Sequence, residues 1–324
     1  MNNIKILVDS GSDLSLEYCK KYDITIVPLN LQIEGRTVSD DGHFDAAKYC
    51  EYLKVAPQIP KSAQPSPQAF LDCYRRFSDR EHIIVITMSA KASGTHQSAV
   101  LARDLFEEEN KSCRIHVVDS ASTSFAISML AFHAAQMRQN GLPATEIVAQ
   151  LVEDTLHIGT YYLIDDISFL IKGGRISSIK GGLLTKMSIK PIVGARNGMA
   201  YHHSNALGFQ KGLAKLVSLF RNNAFPGSDV FISHSNCLSK AKQLEEAILR
   251  AAPSTVVRIG QMRGTMCTHA GPDTIGLFFY QEQFILFPFS KESTRALFYS
   301  AYGCQRFDNV FFLFWIHAGL LYWN

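Results

Sequence analysis

HIIVITMSAKASGTHQSAVLARDLFEEE, from His82 to Glu109, carries a strand, a turn and a helix in one run. His82 to Thr87 is apolar and β-branched, as a buried strand requires. Ser89 to Gly94 is small and polar, and the residues from Thr95 onward read as a helix. A strand that feeds a helix through a short glycine-containing turn is the repeating unit of a parallel sheet covered by helices. The first turn of such a helix presents unpaired backbone N–H groups and a partial positive charge, so its default guest is an anion. The turn says anion without saying which.

The same alternation extends through the first half. Strands are expected at Ile4 to Val8, Ile24 to Leu29, Ile83 to Thr87 and Ile115 to Val118. Helices are expected at Leu14 to Lys21, Asp45 to Lys54, Pro67 to Phe77, Thr95 to Glu108 and Thr123 to Asn140. NGLPATEIVAQLVEDTLH then stops one helix at Asn-Gly and restarts another at Pro, a helical hinge between halves. The second half begins with TYYLID (Thr160 to Asp165) and the loop KGGRISS, and runs on through strands near Ile189 to Val193, Ala200 to His203, Val230 to Ser233, Val256 to Gln261 and Thr274 to Tyr280. Helices are expected near Lys211 to Arg221 and Leu238 to Ala251. Asn-Gly within RNG (Arg196 to Gly198) favours a tight hairpin, which makes this second sheet mixed. The resulting expectation is an α/β chain: residues 1–158 as a parallel α/β/α domain, 159–283 as a smaller α/β domain with a mixed sheet, and 284–324 as an aromatic-rich tail.

The 324 residues, 47% hydrophobic and 19% charged, suffice for a sizeable globular core. A formal charge of +3 with no Lys/Arg-rich block argues against a nucleic-acid partner. The seven cysteines are scattered and none forms C-x-x-C, so neither a disulfide framework nor a zinc ribbon is expected, and a reducing cytoplasm fits best. MNNIKILVDS reads as a first strand, not a signal peptide. The apolar end of the tail, Val310 to Trp323, is shorter than the roughly 20 residues a spanning helix needs. It reads either as an interfacial or docking segment, with transient membrane contact, or as an extension with no place in the core.

Four small motifs fall at strand ends or helix starts: VDSGSDL (Val8 to Leu14), KSAQPSP (Lys61 to Pro67), SAKASGTHQSA (Ser89 to Ala99) and THAGPD (Thr268 to Asp273). In a doubly wound sheet such loops converge beyond the carboxyl ends of the strands. Together they offer the hydroxyls of Ser10, Ser62, Ser93 and Thr95, the Gly94 amide and the His269 imidazole, a set of neutral donors suited to one carboxylate. Each also has a plainer use: Asp9 or Ser10 as a helix cap, QPSP as a turn, Ser93 as a cap, His269 as a satisfied buried histidine. His202 and His203 fall on opposite faces of a strand and read as surface or packing, not as metal ligands. Nucleotide loops, the G-x-S-x-G elbow and H-E-x-x-H are absent. A serine-dependent acyl hydrolase using Ser93 and His269 is the catalytic alternative, lacking an orienting carboxylate that the sequence singles out.

Taken in order, DSGSDL, SAQPSP, SGTHQSA, VVDS (Val117 to Ser120), DISFLIKGGRISS and HAGP resemble the motifs of the DegV family across residues 3 to 280. The resemblance implies two α/β domains with a long-chain fatty acid, such as palmitate or oleate, held non-covalently between them. It implies a carrier and not an enzyme, with no cofactor and no metal, that presents the carboxylate to a fatty acid kinase subunit. Ser62 and Ser93 would then bind the carboxylate, with Gly94 nearby and His269 closing the site, and Lys172 and Arg175 would be available for partner docking. Three departures stand out. Ser62-Ala63 replaces the usual Thr-Ser, HAGPD replaces H-T-G-P-G, and Leu207 and Phe209 stand where relatives carry arginines. Asp273 would disfavour an anion if it faced the entrance. The loss of basic residues bears on kinase docking more than on lipid binding.

Overall fold

The computed structural model describes residues 3–176 and 189–281; the expectations for the tail after Gln281, and the last two serines of KGGRISS, lie outside the described residues. In chain order the first part runs β1 (Ile4–Asp9), α1 (Leu16–Lys21), β2 (Ile24–Val27), β3 (Asn30–Ile33), β4 (Arg36–Ser39), α2 (Ala46–Val55), β5 (Lys61–Ala63), α3 (Pro67–Arg76), β6 (His82–Thr87), α4 (Thr95–Glu109), β7 (Arg114–Asp119), α5 (Phe125–Gln139) and α6 (Ala144–Asp154). The second runs β8 (Ile158–Leu163), α7 (Ser168–Gly173), β9 (Ile189–Arg196), β10 (Met199–Leu207), α8 (Gly208–Asn223), β11 (Val230–His234), α9 (Leu238–Ala251), β12 (Val257–Gln261), α10 (Gly264–Ala270) and β13 (Ile275–Tyr280).

Three sheets result. Strands β2-β1-β6-β7 form an all-parallel sheet, as the strand–turn–helix alternation demands. All six residues of β1 are buried, the near-continuous apolar pattern of a strand covered on both faces. One face packs on α5 and α6 through Ile6, Ile84, Ile127 and Leu151; the other packs on α3 and α4 through Leu7, Val85, Phe70 and Phe106. The second sheet, β10-β9-β8-β13-β11-β12, is antiparallel throughout except for the β11–β12 pair. Its hairpin turns on Asn197 and Gly198, both at positive φ (50° and 79°), the conformation Asn-Gly supplies most readily. A small antiparallel sheet, β4-β3-β5, was not expected; its strands of three or four residues show too few alternations to be read.

Helix α10 was not expected either. It has seven residues and no side-chain cap of its own. Asp40, just beyond β4, accepts from Gly264 N (3.0 Å) and Thr265 N (2.8 Å), and Asp13 accepts from Arg263 N (2.6 Å). Acidic side chains from the first half therefore accept from the first N–H groups of a helix in the second, which have no partner within the helix itself. Arg263 completes the clasp by donating to Leu14 O and Asp41 O. No helix among the described residues is long and apolar enough to cross a membrane.

Candidate functional site

The turn after β6, strand β5, the loop after β7 and helix α10 converge on one cavity, about 780 Å³ of empty space when its solvent-open mouth is counted. Ser62, Ser93 and His269 all line it. Ser62 sits on β5 and Ser93 precedes α4, while His269 lies in the last turn of α10, a helix and not the expected loop. The Ser62 hydroxyl and His269 Nε2 are 2.7 Å apart. Ser93 Oγ lies 2.8 Å from Thr95 Oγ1 and accepts from Thr95 N (3.3 Å), the first N–H of α4, while bordering the cavity.

Burial, with the nearby Arg175 guanidinium, pushes the His269 imidazole down to about 4, so it is neutral at pH 7. His269 Nδ1 is buried and has no hydrogen-bond partner among the described residues. It points at Gly173, where an added Cβ would lie 2.7 Å away. Arg175 carries the one formal charge among the described lining residues and is exposed at the rim, donating to Ala92 O (3.3 Å). The remaining wall is largely apolar, including Leu29, Met88, Ile164, Leu170, Val193 and Met266. Among the described residues no three His, Cys, Asp or Glu side chains are placed to hold a metal ion.

Other residues singled out in the sequence have different places. Gly94 begins α4, and a Cβ there would meet Gln64 Oε1 at 2.0 Å; its bareness admits Gln64, which donates to Ser98 Oγ (2.9 Å). Ser10 is fully buried away from the cavity, accepting from Leu29 N (3.0 Å) and donating to Asp40 (3.3 Å). Lys172 is exposed on α7, within a helix where a loop was expected. A register shift between His202 and Ser204 breaks the expected alternation, so His202 and His203 are both exposed. Asp273 pairs with Lys54 (3.4 Å) and Lys240 (3.5 Å) instead of lining the cavity. Its φ of 60° lies in the region that favours glycine.

The loop after β7 contributes what the sequence reading missed. Ser122 and Thr123 line the cavity, and Thr123 Oγ1 lies 2.9 Å from the hydroxyl of Tyr162, another lining residue. Ser124 holds φ 59° and ψ −138°, a strained conformation for a side-chain-bearing residue. It is fixed by donating its amide to Gly11 O (2.7 Å) and its hydroxyl to Asp13 (2.5 Å). VVDS marks the start of this loop, and nothing local announces its conformation.

Comparison with known proteins agrees with this architecture. The profile of the DegV family, described as uncharacterised proteins, matches residues 3–282. A DegV domain-containing protein of Caldanaerobacter subterraneus subsp. tengcongensis is 30% identical over 288 residues, 87% of this chain and 100% of its own length. A protein of Thermotoga maritima named as a fatty acid-binding protein is 27% identical, over 84% of this chain and 96% of its own. A crystal structure of a DegV-family protein from Ruminococcus gnavus, described with vaccenic acid, superposes with a TM-score of 0.78 at 27% identity, covering 86% of this chain and 100% of that one. With its motifs in order, its two principal sheets and a family match spanning every described residue, the chain belongs to the DegV family.

Proposed function

We propose that the chain binds a long-chain fatty acid non-covalently in this cavity, between the lobes formed by residues 1–158 and 159–283, with the carboxylate at Ser62, Ser93 and His269. The observation that carries the reading is the pairing of an apolar wall with one cluster of neutral donors, Ser62 Oγ and His269 Nε2 at 2.7 Å with Ser93 on the same cavity. Relatives point the same way, since the Thermotoga maritima protein is named for fatty acid binding and the Ruminococcus gnavus structure is described with vaccenic acid. Burial of a tail of about 14 methylenes contributes roughly 11 kcal/mol before ordering costs, so the head group needs orientation more than strength. Two hydroxyls, that of Ser62 held by the neutral imidazole, provide it without the cost of a buried unpaired charge.

In this reading the chain is a cytoplasmic carrier that presents the carboxylate to a fatty acid kinase subunit. Lys172 and Arg175 offer the positive charge near the rim that such a partner would meet. The hydrolase alternative has weaker support. His269 Nε2 is engaged by Ser62 and not by Ser93, and no carboxylate among the described residues meets Nδ1, where a triad's third member belongs. The test compares dissociation constants of a fatty acid and its alcohol for wild type, Ser62→Ala and Ser93→Ala. Loss of a hydrogen bond to a charged acceptor weakens the acid roughly 10- to 150-fold and the alcohol much less. Equal losses for both ligands would remove the carboxylate from the site.

A further inference from the structure

Cys50 and Cys267 lie 217 positions apart in sequence, yet their sulfurs are 2.8 Å from each other. Both are fully buried, Cys50 on α2 and Cys267 on α10. The neighbouring residues are paired too, with Tyr49 Oη 2.8 Å from Thr268 Oγ1. That contact ties the two helices side by side where the sulfurs meet.

We propose that Cys50 and Cys267 are a reactive dithiol that closes to a disulfide when the chain meets a hydroperoxide, stapling α2 to α10. One thiol loses its proton and attacks the peroxide oxygen, giving a sulfenic acid and releasing water or the alcohol of the peroxide. The second thiol attacks that sulfur, forms the S–S bond and releases water. The two thiols together lose two electrons and two protons, and the O–O bond takes them up. A dithiol reverses the step by exchange. Both thiols are fully buried, so only a small uncharged oxidant reaches them, and burial raises the Cys267 thiol, which makes the closure slow. Because α10 also carries Met266 and His269, the cross-link fixes one wall of the cavity to α2.

The test is peptide mapping of the whole chain after titration with hydrogen peroxide, beside a thermal melt. The expected result is a mass loss of about 2 Da with Cys50 and Cys267 in one linked peptide, as two-electron closure of a dithiol requires. The melting temperature should rise by several degrees, since a cross-link across so long a loop constrains the unfolded chain, and a dithiol should return it to its starting value. Cys50→Ala and Cys267→Ala should each fold, melt near the untreated wild type and lose the peroxide-dependent rise. Oxidation of either cysteine to sulfinic acid without a link, a link to a third cysteine, or full resistance of both thiols at peroxide levels that oxidise Cys73 would overturn the proposal.

Discussion

Gly173→Ala is the substitution on which the geometry of the head-group site can be tested most finely. Gly173 closes α7 and is followed by Gly174 in the left-handed conformation, so Gly173 itself carries no positive φ and alanine fits its backbone. On helix propensity alone the change stabilises by up to about 1 kcal/mol. The new Cβ would lie 2.7 Å from His269 Nδ1, whereas ordinary contact begins near 3.4 Å, so the ring must yield about 0.7 Å. Gly173 stands on its Nδ1 side and Ser62 on its Nε2 side at 2.7 Å, so retreat from one presses on the other and the imidazole must rotate. Rotation breaks the bond to Ser62 and misaims the donor offered to the ligand. A bond to a charged head group contributes about 1.5–3 kcal/mol, which places the expected weakening of palmitate binding at roughly 10- to 150-fold. The assay is isothermal titration of delipidated protein, with a thermal melt on the same sample. An unchanged dissociation constant in a protein that melts at or above the wild-type temperature would refute the role given to His269.

The remaining predictions use other parts of the molecule. Burial pushes the carboxyls of Asp9 and Asp13 up to about 7 and about 8 from 3.8, so the folded state keeps protons that the unfolded chain has lost. Their contribution is therefore fully present below about pH 4 and falls as pH rises toward 8; urea unfolding between pH 6.5 and 8.5, above the His269 titration, should show stability dropping with pH, and Asp13→Asn should flatten the slope. Asp273→Gly relieves a positive φ and removes two partly exposed ion pairs, so chemical denaturation should register a change below about 1 kcal/mol; a large loss would mean those pairs hold the fold together. Leu207 is 62% exposed and Phe209 is half-buried beneath the Lys240 ammonium (5.6 Å), so Leu207→Arg is the better of the two for restoring a basic docking surface. Acyl-phosphate formation by a fatty acid kinase subunit should rise in Leu207→Arg with lipid affinity unchanged, and no rise would place docking elsewhere.

Most of the frame was legible because its signals are local. The apolar runs of β1, β6 and β7 and the Asn197-Gly198 turn mark themselves by composition, and α9 spans the expected Leu238–Ala251. The site was legible in its residue types but not in its wiring. Ser62 and Ser93 were both named as head-group donors, yet only the fold reveals that Ser62, on a three-residue strand, is the one that meets His269. Helix α10 was hidden because the acidic side chains that cap it, Asp13 and Asp40, lie more than two hundred residues upstream. Ser10 looked like a site hydroxyl for the same reason. Its partner Asp40 is close only once β4 has folded back, and that strand is too short to read.

The central claim is that a long-chain fatty acid occupies the cavity. It is tested most directly by extracting lipid from the purified full-length protein into organic solvent and quantifying it by mass spectrometry. If the protein purifies delipidated, uptake of added palmitate and oleate is measured on the same sample. The account predicts one long-chain fatty acid per chain, released unmodified and competed by added palmitate. No extractable fatty acid, together with no uptake of either added acid, would contradict it.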